Sequence, residues 1–326
     1  MTSRTVAVNR CSALFATALT LASVFPLEGQ ALAYTRSVRY IYDHTNKKAP
    51  AWSGGTLVAV ENNLTSAPSI HLFDRQGQES SVPITIPGAV LIDIMGEAHG
   101  VDGATALCGY INDAKSRQAG FIAIAADTGS DIKIFRTYPY IPQLVTVAPD
   151  GTYWAVGIEN VGGTELRSPT NDRGVVRHFN KEGVQVEAFI PRSAIRHRAD
   201  LFGMPGYLAA SLDRVGWYRN FGEDYVEISL DGGIDVYPGV AVRESKGFAT
   251  GFALTEKNDA FVSVQADSIG LRKVYRLDRV QRTWVPIDLP DDSESSVLPR
   301  LLGADRNALV FPGKSEGVMK FLTVVK

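Results

Sequence analysis

The chain has 326 residues, of which 33 are basic and 35 acidic, giving a formal charge of −2. Apolar residues make up 45% and charged ones 21%, a composition that excludes a disordered tail, a collagen-like rod and a polytopic membrane protein. A balance without a basic excess argues against a nucleic-acid partner.

The first 33 residues read as an export leader. Arg4 and Arg10 supply a positive start, residues 11–25 (CSALFATALTLASVF) an apolar stretch, and Ala31-Leu32-Ala33 a small-x-small cleavage site. The stretch is shorter than the roughly 20 residues that a bilayer-spanning helix needs. The mature chain, 34–326, is therefore expected to be periplasmic or extracellular, with no transmembrane segment after cleavage. Cleavage removes Cys11 and leaves Cys108, so no intrachain disulfide can form. Cys108 lies in the apolar run TALCGYI with no histidine beside it, the setting of a buried small side chain more than of a thiolate.

Beyond the leader, a tight turn followed by an apolar strand recurs. Gly54-Gly55, Asp102-Gly103, Asp150-Gly151, Pro205-Gly206, Lys257-Asn258 and Arg306-Asn307 precede TLVAVEN, ATALCGYIN, TYWAVGIEN, YLAASLD, DAFVSVQAD and ALVFPG. The second turn residues fall at 55, 103, 151, 206, 258 and 307, which makes six units of near-equal length. A second series, Gln76-Gly77, Thr128-Gly129, Glu182-Gly183 and Gly232-Gly233, lies between the first and joins two further strands in each unit. Such turns admit the positive backbone angles of short hairpins. The fifth unit has the same hairpin shape without glycine, in KVYRLDRVQRTWVPIDL.

Each unit thus reads as four antiparallel strands, and six of them as a single all-β, six-bladed β-propeller domain over 34–326. A blade cannot cover both of its faces, so neighbours on either side must, which explains strands that are apolar almost throughout. The sixth unit lacks an outermost strand. The mature N-terminal stretch TRSVRYIYD (35–43) is expected to supply it beside residues 318–325 and so close the ring. A sandwich or an open solenoid is the competing arrangement; even spacing favours the ring.

The stretch VTVAPDGTYWAVG (145–157) resembles the Pro-Asp-Gly hairpin of TolB-like and NHL-like six-bladed propellers. The other five units match in shape alone, and the motif implies the fold without a substrate.

Binding groups are expected on the longer connections, 61–69, 111–120, 158–174, 212–224 and 265–273, around a central channel. The second strands end in acids or amides: Glu61, Asn112, Glu159, Asp213 and Gln265. If Glu61, Asn112, Glu159 and Asp213 converged, they would suit calcium, which takes roughly six to eight oxygen ligands; the pattern is similar to the ring of calcium-dependent propeller lactonases. Asn and Asp also end strands simply by bonding nearby backbone. Arg196, His197 and Arg198 form a cationic cluster that could receive an oxyanion, or a solvated loop. Trp217 and Tyr218, with Phe221, offer either a wall for a sugar or peptide or a cover for the blade edge. His71 and His178 sit within third strands, where packing is their expected role. No zinc spacing, nucleophile elbow, phosphate loop or dinucleotide fingerprint occurs.

These features favour a monomeric binding module without a cofactor, recognising a small-molecule, peptide or envelope-protein ligand through the long-loop face. A calcium-dependent hydrolase or lyase is the alternative.

Overall fold

A computed structural model describes residues 31–39, 50–61, 63–126, 132–161, 164–165, 174–195, 205–219, 224–240, 248–265, 272–290, 300–313 and 318–325. Strand β1 (Ala31–Arg39) comes first in the chain and last in the ring. Blade one holds β2 (Ala51–Ser53), β3 (Thr56–Glu61), β4 (Ser69–Phe73) and β5 (Glu79–Pro83); blade two holds β6 (Ala89–His99), β7 (Thr105–Asp113), β8 (Gln118–Ala125) and β9 (Ile132–Arg136). Blade three is β10 (Tyr140–Val147), β11 (Tyr153–Val161), β13 (Gly174–Phe179) and β14 (Gln185–Pro191), with the two-residue β12 (Thr164–Glu165) paired to β11. Blade four is β15 (Tyr207–Ala210), β16 (Arg214–Tyr218), β17 (Asp224–Ser229) and β18 (Ile234–Pro238); blade five is β19 (Phe248–Leu254), β20 (Ala260–Gln265), β21 (Arg272–Asp278) and β22 (Thr283–Ile287). Blade six orders β23 (Gly303–Asp305), β24 (Ala308–Pro312), β25 (Val318–Val325) and then β1.

The chain is therefore an all-β, six-bladed propeller. Among the described residues the core is not one cluster but six, one at each seam between neighbouring blades. Side chains alternate across a strand, so successive residues serve different seams. Leu57 and Ala59 pack with Val310 and Phe321 of blade six, whereas Val58 and Val60 pack with Ile92 and Ile94 of blade two. Tyr140 and Ala155 face blade two, while Trp154 and Val156 face blade four. The blade-six-to-one seam has its own cluster around Trp52, Phe73 and Met319, so the ring closes through packing. There the backbones come close: the Trp52 amide donates to the Leu302 carbonyl at 3.0 Å, and a Cβ on Gly303 would sit 2.0 Å from the Trp52 carbonyl oxygen. Only glycine fits that approach.

The pairing of β1 with β25 is antiparallel, from Ala31↔Val325 to Arg39↔Val318, with a register shift between Tyr34 and Arg36. This strand starts four residues before the stretch expected to pair, and it includes Ala31–Ala33, the end of the expected leader. Residues 40–43 lie outside the described ones.

Blade four departs from the expected phase. Gly206 does not turn between the first and second strands; it precedes the first, β15. The turn joining β15 to β16 is Ser211–Asp213, closed by the Ser211 amide on the Arg214 carbonyl at 2.9 Å. Part of the expected 212–224 loop is accordingly the second strand. The glycine-free hairpin of blade five forms because the Asp278 carboxylate accepts from the amides of Val280 and Gln281, at 2.9 and 3.0 Å, and Arg282 takes the left-handed conformation, φ 53°.

Candidate functional site on the long-loop face

Because every blade is a meander, turns between first and second strands and between third and fourth strands share one face. Connections between second and third strands, and between blades, share the other. Glu61, Asn112 and Glu159 end the second strands β3, β7 and β11 on this long-loop face. Asp213, set by the turn before β16, lies at the opposite end of its sheet, so it does not share their position.

The three strand ends differ in what they hold. Glu61 contacts Nε2 of His71 at 2.7 Å, and Glu79 contacts the other ring nitrogen, Nδ1, at 2.5 Å. Glu159 accepts from Nη2 of Arg177 at 2.5 Å, and Nη1 of the same guanidinium donates to Gln185 at 3.1 Å. Blades one and three thus repeat one design, a third-strand nitrogen base, His71 or Arg177, clasped between the end of the second strand and the start of the fourth. In blade three the guanidinium also lies 4.0 Å from the centre of the Tyr140 ring. Asp213 is bonded by Nε of Arg214 at 2.8 Å, and that bond holds its carboxyl below the usual carboxylate range. Glu159 is bound to a guanidinium, Glu61 to an imidazole, and Asp213 lies at the far end of its blade, so the four residues are not brought together at one point. Among the described residues no group of three or more acids, histidines or cysteines is placed to hold a metal ion.

Asn112 is different. Its Oδ1 is buried and meets no donor among the described residues. It lines a cleft of about 1140 Å³ at the long-loop end of blade two, between the 113–118 loop, the arrival from blade one at Pro87 and Gly88, and the departure toward blade three at Arg136 and Tyr138. The loop is stiff by design. Asp113 accepts from the amides of Lys115 and Arg117 at 2.8 and 3.0 Å, and from Nε of Arg117 at 2.7 Å. The side-chain and backbone bonds from Arg117 hold the Asp113 carboxyl at about 2. Across the cleft, Nη2 of Arg136 donates to the Pro87 carbonyl at 3.2 Å, tying blade two to the connection before it, and the Tyr138 ring is 59% exposed. The cleft offers a cation, Arg136, and an aromatic ring, Tyr138.

Trp217 and Tyr218 lie in β16 instead of the loop after it, and both are buried. Trp217 packs in the seam with blade three and donates to the Pro205 carbonyl at 2.7 Å. Tyr218 packs in the seam with blade five, edge-on to Trp284 at 5.5 Å, and its burial pushes its hydroxyl up to about 12. Neither ring forms a ligand wall, because a residue inside a strand between two blades is drawn to one seam or the other. Arg196, His197, Arg198 and Phe221 fall outside the described residues. His71 and His178 are packed within third strands, His178 stacked on Trp154 at 4.3 Å. Sequence reasoning named the 111–120 connection and Asn112 but passed over Arg136 and Tyr138, whose only signal is a cation ending a fourth strand and a ring in the short connection after it.

No protein-family model matches the chain, and no curated protein matches it. Solved structures do. A streptogramin B lyase is similar at 10% identity, over 91% of this chain and 98% of that one, with a TM-score of 0.50. A protein of unknown function from Bacteroides thetaiotaomicron is similar at 12% identity, over 91% of this chain and 73% of that one, with a TM-score of 0.51. Likeness at this level of identity establishes the shared propeller fold.

Proposed function

We propose that the protein is an exported binding module that takes a small-molecule or peptide ligand on its long-loop face, in the cleft of blade two. The observation that carries this reading is the cleft of about 1140 Å³ at the long-loop end of blade two, lined by Arg136, the hydrogen-bonded 113–117 loop and the exposed Tyr138. A concave surface that joins an apolar face to a few polar groups is the usual form of a small-ligand site.

The test is ligand-observed saturation-transfer NMR with a chemically mixed library of small molecules and short peptides. Binders should lose their signal in Tyr138→Ala; if no compound responds to that change, the cleft is not the site. Export is tested separately by cell fractionation and N-terminal sequencing. The expected product is outside the cytoplasm and starts at Tyr34; a cytoplasmic protein that starts at Met1 overturns export.

A further inference from the structure

We infer that the free edge of β9, the outermost strand of blade two, docks an extended acidic peptide by strand addition. This surface adjoins the cleft at Arg136 but goes beyond it and does not depend on it.

The outermost strand of each blade presents an unpaired edge, a template for another strand unless something guards it. Proline is such a guard, because it lacks the N–H that a new partner would need. β5 carries Pro83, β14 Pro191, β18 Pro238 and β22 Pro286. β1 has no proline, but its register with β25 breaks between Tyr34 and Arg36. β9 has neither guard. Its five residues, IKIFR, pair with β8 in unbroken register from Phe121↔Arg136 to Ala125↔Ile132. Among the described residues no strand pairs with its other side. The strand is also held from both faces. Ile132 and Ile134 pack toward blade one, and Phe135 packs toward blade three, where the turn at Gly183 closes on its ring. The edge is therefore preformed, and an incoming strand finds main-chain groups already in place.

Charge selects the partner. Lys133 and Arg136 are exposed, the strand holds no acid, and neither cation has an ion-pair partner among the described residues. Like charges on an edge repel a second copy of the same strand and attract an acidic one. The pleat sets the spacing. Lys133 lies opposite Ile124 on the blade-three side, and Arg136 lies opposite Phe121 on the blade-one side. Residues directly opposite in an antiparallel pair share a face. A peptide strand with acids three residues apart alternates in the same way, so one acid meets Lys133 and the other meets Arg136.

The experiment is fluorescence anisotropy of the protein with labelled valine–threonine peptides of about eight residues. One has glutamates at the third and sixth positions; the others are its glutamine and lysine twins. The acidic peptide should bind at least about tenfold more tightly than the glutamine twin, equal to ~1.4 kcal/mol. Its binding should slow hydrogen exchange at the amides of β9 and not at those of β18. Lys133→Glu combined with Arg136→Glu should lose the acidic peptide and gain the lysine one, an exchange that an unfolded variant could not show. The proposal is overturned if the acidic peptide does not bind, if it binds no better than the glutamine twin, if β9 stays unprotected, or if the charge-reversed chain keeps it. Dimerisation of the parent chain that the reversal abolishes would also overturn it, by making a second copy the occupant. Tyr138→Ala separates this surface from the cleft. Hits from the mixed library should fall with that change, whereas the acidic peptide should keep its affinity; if it too is lost, it sits in the cleft and the edge assignment is wrong.

Discussion

Glu159 and Arg177 form an ion pair 2.5 Å long in which both side chains are at most one-tenth exposed. Removing one partner from such a pair strands a buried charge. Glu159→Ala should cost about 3–5 kcal/mol in urea unfolding, and Glu159→Gln clearly less, since the amide oxygen still accepts. The same pairing bears on calcium. A carboxylate already bonded to a guanidinium is a poor metal ligand, so the melting temperature should be unchanged by calcium or by a chelator. A calcium-dependent rise that Glu159→Gln abolishes would reverse this.

Trp217 and Tyr218 test the six-seam core. Adjacent in β16, they serve opposite seams, with blades three and five. Trp217→Ala should destabilise by about 3–5 kcal/mol, whereas ligand binding at blade two should be unaffected. In a spectrophotometric titration the Tyr218 hydroxyl should ionise only near its displaced value of about 12, so Tyr218→Phe should leave the absorbance change below pH 11 unaltered in size.

The seam cores were legible in the sequence because strands buried on both faces are apolar on both phases, as in Leu57–Val60 and Trp154–Val156. The phase of blade four was not. Its inner strand is short, its true turn at Ser211–Asp213 lacks glycine, and the nearby Gly206 marks the strand's start. Counting by glycine therefore moved Asp213 to the wrong end of the sheet. The cleft escaped for another reason. Gly88, Asn112 and Arg136 are 24 residues apart, half a repeat, which returns the chain to the same face each time. Nothing local joins them. Only the fold shows that, among the described residues, the Oδ1 of Asn112 meets no donor while Glu61 and Glu159 are clasped by His71 and Arg177.

The short-turn face has an ionic lock between blades four and five. Glu227, 3% exposed, accepts from Nη1 of Arg214 at 3.1 Å, Nε of Arg279 at 3.1 Å and the Tyr225 hydroxyl at 2.8 Å. Asp213 shares Arg214, and the hydrogen bond from that guanidinium lowers its carboxyl. A lowered folded-state pKa adds stability that is present above the unfolded value, about 3.9, and is lost as pH falls through the folded value. Asp213→Asn should therefore lower stability at neutral pH and flatten the acid limb below about pH 4. An acid limb identical to that of the parent chain would show that the pair contributes nothing. Glu227→Gln should be the more damaging change, because Arg279 would then lose the carboxylate that links blade five to blade four.

The pairing of β1 with β25 gives the chain ends a separable role. Of the eight register pairs, those of Ala31, Leu32 and Ala33 precede the expected cleavage point, and those of Tyr34, Arg36, Ser37, Val38 and Arg39 follow it. Deleting 31–33 should change the unfolding midpoint little, because five pairs still cover β25. Deleting 34–39 as well uncovers β25 as an unpaired edge, eight residues long, and an exposed edge of that length invites pairing with a second chain. The longer deletion should lower the melting temperature and raise light scattering in proportion to protein concentration. Equal stability and equal scattering in both deletions would mean that the seam packing of Trp52, Met319 and Phe321 closes the ring without help from the N-terminal strand.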